Sequence, residues 1–335
     1  MQYRSLGRTG VKVSSICLGA MMFGGRTQPE DGYAIIDEAI DRGINFIDTA
    51  NVYNAGRSEE VVGEALQRRG VRDSIVLATK VHGNVNAEDP NAQGNSRRHI
   101  IQQCEASLRR LQTDWIDLYQ LHRPQSDIPI DETLRALEDL VRDGKVRYAG
   151  TSTFAAWQLV ESFQVSERMG LSRFICEQPP YNLLDRRIER ELIPMALTYG
   201  MAIIPWSPLG GGLLSGKYRR GDPMPEDGRF TISNAPHHTR RLTERLWDVI
   251  DGLEPMARDK GCTMSQLALA WVHQQPGVTS PIIGPRTMDQ FLDNMGALDI
   301  ELTAEDLQRI DAVSLPGDYV SPFYEGDWGP HRYRL

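Results

Sequence analysis

Residues 45–66, NFIDTANVYNAGRSEEVVGEAL, decide how the chain reads. Phe46 and Ile47 are apolar between polar flanks, so residues 45–50 predict a short buried strand. That strand leaves on a carboxylate, Asp48, and a phenol, Tyr53, follows one loop later. Ser58 and Glu59 then open a helical pattern with Val61, Val62, Ala65 and Leu66 as its apolar positions. The stretch is therefore one strand–loop–helix unit with ionisable groups planted at the strand exit.

Working outward, the same unit recurs. Short apolar runs at 15–20, 75–81, 116–122, 146–152, 174–177, 201–205 and 278–284 join 45–50 to give eight predicted strands. Helical patterns lie between them, among them DGYAIIDEAIDRG (31–43), SRRHIIQQCEASLRRL (96–111) and DETLRALEDLVRDGK (131–145). The last carries Leu134, Leu137, Leu140 and Val141 on one face and Gly144 as its stop. Ahead of all these, residues 3–6, the turn GRTG and residues 11–14 predict a β-hairpin. Eight strands alternating with helices point to a parallel sheet, and units of this length fit a closed (β/α)₈ TIM barrel. An open nucleotide-binding sheet would want G-x-G-x-x-G after an early strand, which LGAMMFGG (18–25) does not supply. No linker or low-complexity tract divides the chain, so residues 1–335 read as a single barrel domain. Two long loops interrupt the pattern, 82–98 after the third strand and 210–241 after the seventh, and an irregular tail follows Val313.

Composition narrows the partners. Apolar residues make up 40% of 335, enough for a large core. The net charge of −8, with no basic run, speaks against nucleic acid and anionic membranes. No window holds the roughly 18 uncharged apolar residues of a membrane span, and MQYRSLGRTG has no signal-peptide character. Cys17, Cys104, Cys176 and Cys262 are scattered, without a CxxC pair, which suggests reduced thiols in a cytoplasmic protein.

In a barrel the C-terminal strand ends share one face, and that face holds the active site. The strand exits present Asp48 with Tyr53, then Lys80, then His122. Taken singly, each has an ordinary structural use: a cap, an amphipathic ring, a solvated ammonium, a packed imidazole. Together on adjacent strand ends they make chemical sense. A phenol with a pKa near 10 is a poor proton donor at neutral pH. A neighbouring ammonium favours the phenolate and makes such a phenol a stronger acid. A carboxylate holds the ammonium in place, and an imidazole can hold a carbonyl beside the phenol, giving a general acid for a carbonyl oxygen.

The motifs FIDTANVYNAG, ATK, LHRP, GTSTF, EQPPYNLLDR, PWSPLGGGLLSGKY and IIGPRTMDQFLDN together resemble the aldo-keto reductase superfamily, in the branch near the potassium-channel β subunits and bacterial reductases. The similarity runs from LGAMMFGG to about Leu302, with the seven motifs in family order. The resemblance implies the (β/α)₈ barrel with an N-terminal hairpin, and a catalytic tetrad at Asp48, Tyr53, Lys80 and His122. It implies NADP(H) bound extended. Ser152 and Gln178 would hold the nicotinamide carboxamide, and Trp206 would stack on the ring. Ser207, Pro208, Leu209, Gly210, Gly211 and Lys217 would wrap the pyrophosphate. Gly284, Arg286, Gln290 and Asn294 would take the adenosine end. The family pairs its serine with an asparagine; here that position is Thr153, a departure that leaves fewer donors. Arg286 stands where an acidic residue would grip a ribose hydroxyl, which favours a 2′-phosphate and hence NADP.

The resemblance further implies reduction of an aldehyde or ketone to an alcohol, reversibly, with a small-molecule carbonyl or alcohol as partner. The alternative is a regulatory or binding subunit that senses nucleotide with little turnover. The long loops and the tail, with Tyr319, Phe323, Tyr324, Trp328 and Tyr333, would shape the substrate pocket; His82 and Met21 or Met22 are candidates for its lining, with core packing or a solvated loop an equal reading for each. One competing signal falls away. Residues 211–217 read G-x-x-x-x-G-K, but Tyr218 follows where a P-loop needs Ser or Thr for Mg²⁺. No metal is expected, since a metal-dependent barrel hydrolase would need convergent His and Asp ligands at strand ends and the first strand, ICLGAM, has neither.

Overall fold

A computed structural model describes residues 1–226, 228–232, 240–321 and 323. The chain opens on an antiparallel hairpin, β1 (Tyr3–Ser5) and β2 (Lys12–Ser14), in register Tyr3 with Ser14. Eight strands then form one parallel sheet: β3 (Cys17–Gly19), β4 (Phe46–Asp48), β5 (Val76–Val81), β6 (Ile116–Leu121), β7 (Val146–Ser152), β8 (Cys176–Gln178), β9 (Ala202–Ile203) and β10 (Ile282–Ile283). Seven of the eight lie inside their predicted runs, and β8 reaches one residue further, to Gln178. Strand β10 pairs with β3, and a parallel bridge from Ile203 to Val278, with the Ile282 amide on the Pro205 carbonyl at 2.9 Å, closes the sheet into a barrel.

Helices α1 (Pro29–Asp41), α2 (Arg57–Arg69), α3 (Arg97–Leu111), α4 (Ile130–Arg142), α5 (Ala156–Met169) and α6 (Leu192–Tyr199) follow successive strands on the outside. After β9 come α7 (Glu244–Asp259) and α8 (Met264–Gln274), and after β10 come α9 (Met288–Met295) and α10 (Ala304–Val313). Their starts follow sequence: Ser96, Thr263, Thr287 and Thr303 each accept a first-turn backbone N–H, satisfying a donor the helix leaves open. The long loop after β9 is partly ordered, with a 3₁₀ segment (Gly210–Ser215) and one helical turn (Arg229–Ile232).

Side chains alternate across each strand, so residues two apart share a face. Facing into the barrel, Cys17, Phe46, Ala78, Leu118, Cys176, Ala202 and Ile282 pack with Leu6 and Val13 of the hairpin in one buried cluster. The hairpin thereby plugs the N-terminal end. Two residues further along the same strands stand Asp48, Lys80, Gln120 and Gln178, so a polar layer rests on the apolar one. Outward positions such as Ile47, Leu77 and Tyr119 belong to the larger core between strands and helices.

Candidate active site

The polar layer is a bonded network before anything else reaches it. Asp48 is buried, as is Lys80, whose side chain is wholly enclosed. Lys80 Nζ donates to Asp48 Oδ1, to the Thr49 carbonyl at 2.8 Å and to the Tyr53 hydroxyl at 3.3 Å. The other Asp48 oxygen accepts from Gln120 Nε2 at 3.0 Å and from Gln178 Nε2 at 2.9 Å. Burial pulls the Lys80 ammonium toward neutrality, but Asp48 and then the Tyr53 oxygen outweigh it, and the net direction is up. The lysine stays charged.

Tyr53 reaches this layer through an unusual turn. Asn54 (φ 50°), Ala55 (φ 56°) and Gly56 (φ 91°) are all left-handed. Asparagine tolerates that conformation, whereas alanine is strained in it. The turn is pinned by Asn54 Nδ2, which donates to the carbonyls of Met21 at 3.0 Å and Phe23 at 2.8 Å. Its far end abuts Arg110, which donates to the buried Glu59 carboxylate at 2.6 Å. His122 sits just past β6, with Nε2 3.5 Å from the Tyr53 hydroxyl and the two rings edge to face. Burial, then Arg123, Lys80 and His82, push its imidazole well below the ordinary histidine value, so it is neutral. The structure therefore brings Asp48, Tyr53, Lys80 and His122 together, as the strand exits implied. His82 bonds Asn95 Oδ1 at 2.9 Å in the loop alongside. The Met21 side chain is exposed, and Met22 is partly buried.

The next wall holds Ser152 and Gln178, paired across β7 and β8. Ser152 Oγ donates to the Gln178 carbonyl at 2.8 Å. Thr153 is left-handed (φ 66°), a rare state for a β-branched residue. The buried Glu177 holds this turn: it accepts from the Phe154 amide at 3.0 Å and bonds the Thr151 hydroxyl. Burial raises its carboxyl to about 8 despite those bonds.

The third wall is loop. Trp206 is fixed by its amide on the Pro179 carbonyl at 2.9 Å, and its ring meets Phe323 edge-on at 6.2 Å. Phe323 is buried, with its amide on Asp185 at 3.0 Å, so this part of the tail does reach the stacking position. Tyr319 bridges to Asp185, whereas Tyr324, Trp328 and Tyr333 lie outside the described residues. Ser207 accepts from Asn182 through its carbonyl, and Pro208 and Leu209 lead into Gly210, Gly211 and Gly212, left-handed at 56°, 67° and 105°. Glycine alone takes three such residues in a row without strain. Lys217 is exposed beyond this turn, and the Tyr218 that broke the P-loop pattern is buried against Phe230.

Gly284 leaves β10 toward α9, and among the described residues a side chain there would meet no atom within 4 Å, so they leave the space beside it open. The Arg286 amide donates to Gln290 Oε1 at 2.9 Å, the Arg286 carbonyl accepts from Thr27, and Asn294 is buried one turn on. Two cations that sequence reasoning left out stand here. Burial lowers the Arg229 guanidinium, and Arg26 and Arg286 lower it further, which places three arginines within electrostatic reach. Such a gathering suits a polyanion. An acceptor-bearing wall, a left-handed glycine turn, an open cradle ahead of a helix and clustered arginines together fit an extended dinucleotide. Among the described residues no group of three or more His, Cys, Asp or Glu is placed to hold a metal ion, and no helix is long and apolar enough to cross a membrane.

A closed parallel barrel with a lysine-coupled tyrosine at the C-terminal strand ends is an arrangement suited to proton transfer at a bound carbonyl. Comparison agrees. Residues 15–315 match the family model described as "Aldo/keto reductase family". The chain is 40% identical over 327 residues to "Uncharacterized oxidoreductase YrpG" of Bacillus subtilis (strain 168), covering 95% of this chain and 97% of that one. It is 39% identical over 319 residues to "Probable voltage-gated potassium channel subunit beta" of Oryza sativa subsp. japonica, covering 93% and 96%. It is 36% identical over 325 residues to "Putative voltage-gated potassium channel subunit beta" of Schizosaccharomyces pombe (strain 972 / ATCC 24843), covering 93% and 92%. The chain belongs to the aldo/keto reductase family, whose members generally use a nicotinamide cofactor.

Proposed function

We propose that this protein reduces an aldehyde or ketone to the alcohol with NADPH, and runs the reverse oxidation at the same site. The observation that carries the reading is Lys80 Nζ, held between Asp48 and the Tyr53 hydroxyl at 3.3 Å, with His122 Nε2 3.5 Å from the same hydroxyl. When bound, the reduced nicotinamide supplies a hydride to the carbonyl carbon. Tyr53 gives its hydroxyl proton to the carbonyl oxygen, completing the alcohol. The phenolate left behind is stabilised by the Lys80 ammonium and regains its proton from solvent. Asp48 keeps Lys80 charged and aimed. His122, neutral, carries a hydrogen on one ring nitrogen and can donate it to the carbonyl oxygen, orienting the carbon for attack. Residues 1–335 act as one barrel unit in this scheme, and four free thiols suit a reducing cytoplasm.

The adenosine end supports NADP over NAD, because Arg229 feels the charge of both Arg26 and Arg286 and a 2′-phosphate answers such a gathering. Ser152 and Gln178 would face the carboxamide, and Trp206 the ring. Residues Ser207–Gly211 with Lys217 would follow the pyrophosphate, and Gly284, Gln290 and Asn294 the adenosine. The names of the two channel-subunit relatives favour a second reading, a nucleotide-sensing subunit with little turnover. Oxidation of NADPH by a panel of aldehydes and ketones separates the two. Turnover that Tyr53→Phe abolishes supports the reductase. Tight NADPH binding with no turnover on any carbonyl leaves the sensing subunit.

A further inference from the structure

The Thr153 departure poses a donor problem at the nicotinamide wall. A carboxamide offers two N–H donors and one carbonyl acceptor, so it needs acceptors and a donor from the protein. Ser152 has committed its hydrogen to the Gln178 carbonyl, at 2.8 Å. Gln178 has committed Nε2 to Asp48 at 2.9 Å and to Gln120 Oε1 at 3.2 Å, which leaves its Oε1, an acceptor, for a ligand. Thr153 is enclosed, and its Oγ1 lies 3.3 Å from Ser152 Oγ, to which it donates its own hydrogen because the Ser152 hydrogen is already committed. The wall built by these three residues is therefore one of acceptors.

Arg123 follows His122 on the neighbouring strand exit and is partly exposed. Its Nη1 donates to the His122 carbonyl at 2.6 Å and to Thr153 Oγ1 at 3.1 Å, with Ser152 Oγ at 3.5 Å. Thr153 thus does not replace the family's asparagine as a donor; it accepts, and so seats a guanidinium over the pair of hydroxyls. Nη1 carries two hydrogens, one on the His122 carbonyl and one shared between Thr153 Oγ1 and the longer Ser152 contact, and a carboxamide oxygen entering beside Ser152 would take over that shared leg. We infer that Arg123, seated by Thr153, supplies the donor to the nicotinamide carboxamide oxygen that an asparagine at position 153 would otherwise give. The inference rests on the nicotinamide reading above and adds to it a residue and a polarity. Arg123 also bears on His122 and His82, whose protonation its charge opposes.

The test compares two ligands that differ only by the nicotinamide: NADP⁺ and 2′-phospho-ADP-ribose, titrated by calorimetry. A charge-assisted hydrogen bond corresponds to about ten- to a hundredfold in affinity. Arg123→Ala should weaken NADP⁺ by that factor and leave 2′-phospho-ADP-ribose within about twofold. Adding Thr153→Asn to Arg123→Ala should restore most of the NADP⁺ affinity, since the amide returns the missing donor. If Arg123→Ala does not fold, Arg123→Lys, which keeps the charge and loses the fork, should show a smaller loss confined to NADP⁺. Equal weakening of both ligands, no weakening of NADP⁺, or failure of Thr153→Asn to rescue would overturn the assignment to Arg123 while the cofactor reading stands. Wild-type protein that binds neither ligand would overturn both.

Discussion

The two ends of this barrel are made by the same strands and do opposite things. At the floor, Phe46, Ala78, Leu118 and Cys176 pack in the apolar cluster that the hairpin closes with Leu6 and Val13. Two residues on, at the mouth, the same strands present Asp48, Lys80, Gln120 and Gln178, each bonded to another. A shift of one side-chain repeat turns a packing position into a chemical one. The polar layer tolerates burial because it is satisfied from within, and the floor supplies rigidity without touching chemistry. Substitutions at the mouth should therefore cost rate or affinity, and substitutions at the floor should cost stability.

The largest effect tests the mouth. Tyr53→Phe keeps the ring and removes the acidic proton. General acid catalysis contributes about 10²–10⁴-fold, so kcat should fall by that factor with NADPH affinity and Tm little changed. Residual turnover above a tenth of wild type would remove Tyr53 as proton donor. The counterpart at the floor is Leu6→Ala. Leu6 is wholly buried, and truncating a buried leucine costs about 2–5 kcal/mol. Chemical denaturation should show that loss, while kcat/KM of the folded enzyme stays at wild type. A matching fall in kcat/KM would mean the two ends are coupled.

A smaller effect divides the mouth itself. Arg286→Ala should weaken NADPH about ten- to a hundredfold and NADH far less, as expected for one charged contact to a 2′-phosphate. Fluorescence titration of both cofactors reads this directly. Equal losses would place Arg286 elsewhere on the nucleotide.

Much of this difference between the ends is legible in sequence. The alternation of short apolar runs with helical patterns marks all eight barrel strands, and the GRTG turn marks the hairpin. Asp48, Lys80 and His122 are legible because each is an ionisable residue near the exit of an apolar run. Gln120 carries the same signal, a polar residue two positions after inward Leu118, but His122 follows it and masks it. Arg123 stands in the quoted LHRP motif without a role, since only the fold shows that it reaches Thr153 and Ser152 from another strand. Arg26 and Arg229 belong to loops, where no periodicity predicts which side chains meet. Glu177 gives no warning either: one acid before Gln178 looks solvated until the outward face of β8 proves to be core.

The smallest effect tests the floor by pH. His273 at the end of α8 is nearly enclosed, and its Nε2 lies 3.2 Å from Arg4 Nη2. Arg4 also donates to the carbonyls of His273 at 3.0 Å and Val278 at 2.9 Å, tying the hairpin to the base of the barrel. Burial first, and the Arg4 charge second, lower the His273 imidazole to about 4, against 6.5 for an ordinary histidine. The sign follows from which state takes the proton. Above about pH 6.5 both folded and unfolded chains hold His273 neutral, and stability is unaffected. Between 6.5 and 4 the unfolded chain binds a proton that the folded one refuses, so stability falls as pH falls. Between pH 7 and 5 this amounts to roughly 1–2 kcal/mol. A glutamine in place of the imidazole would still offer Arg4 an acceptor but cannot titrate, so His273→Gln should flatten that part of the stability–pH curve. The measurement is urea denaturation of both proteins at pH 7, 6 and 5, with kcat/KM followed in parallel. Parallel curves would show that His273 does not titrate apart between the two states. A change in the pH dependence of turnover would mean that a group at the floor is felt at the mouth, against the separation that the two-residue step implies.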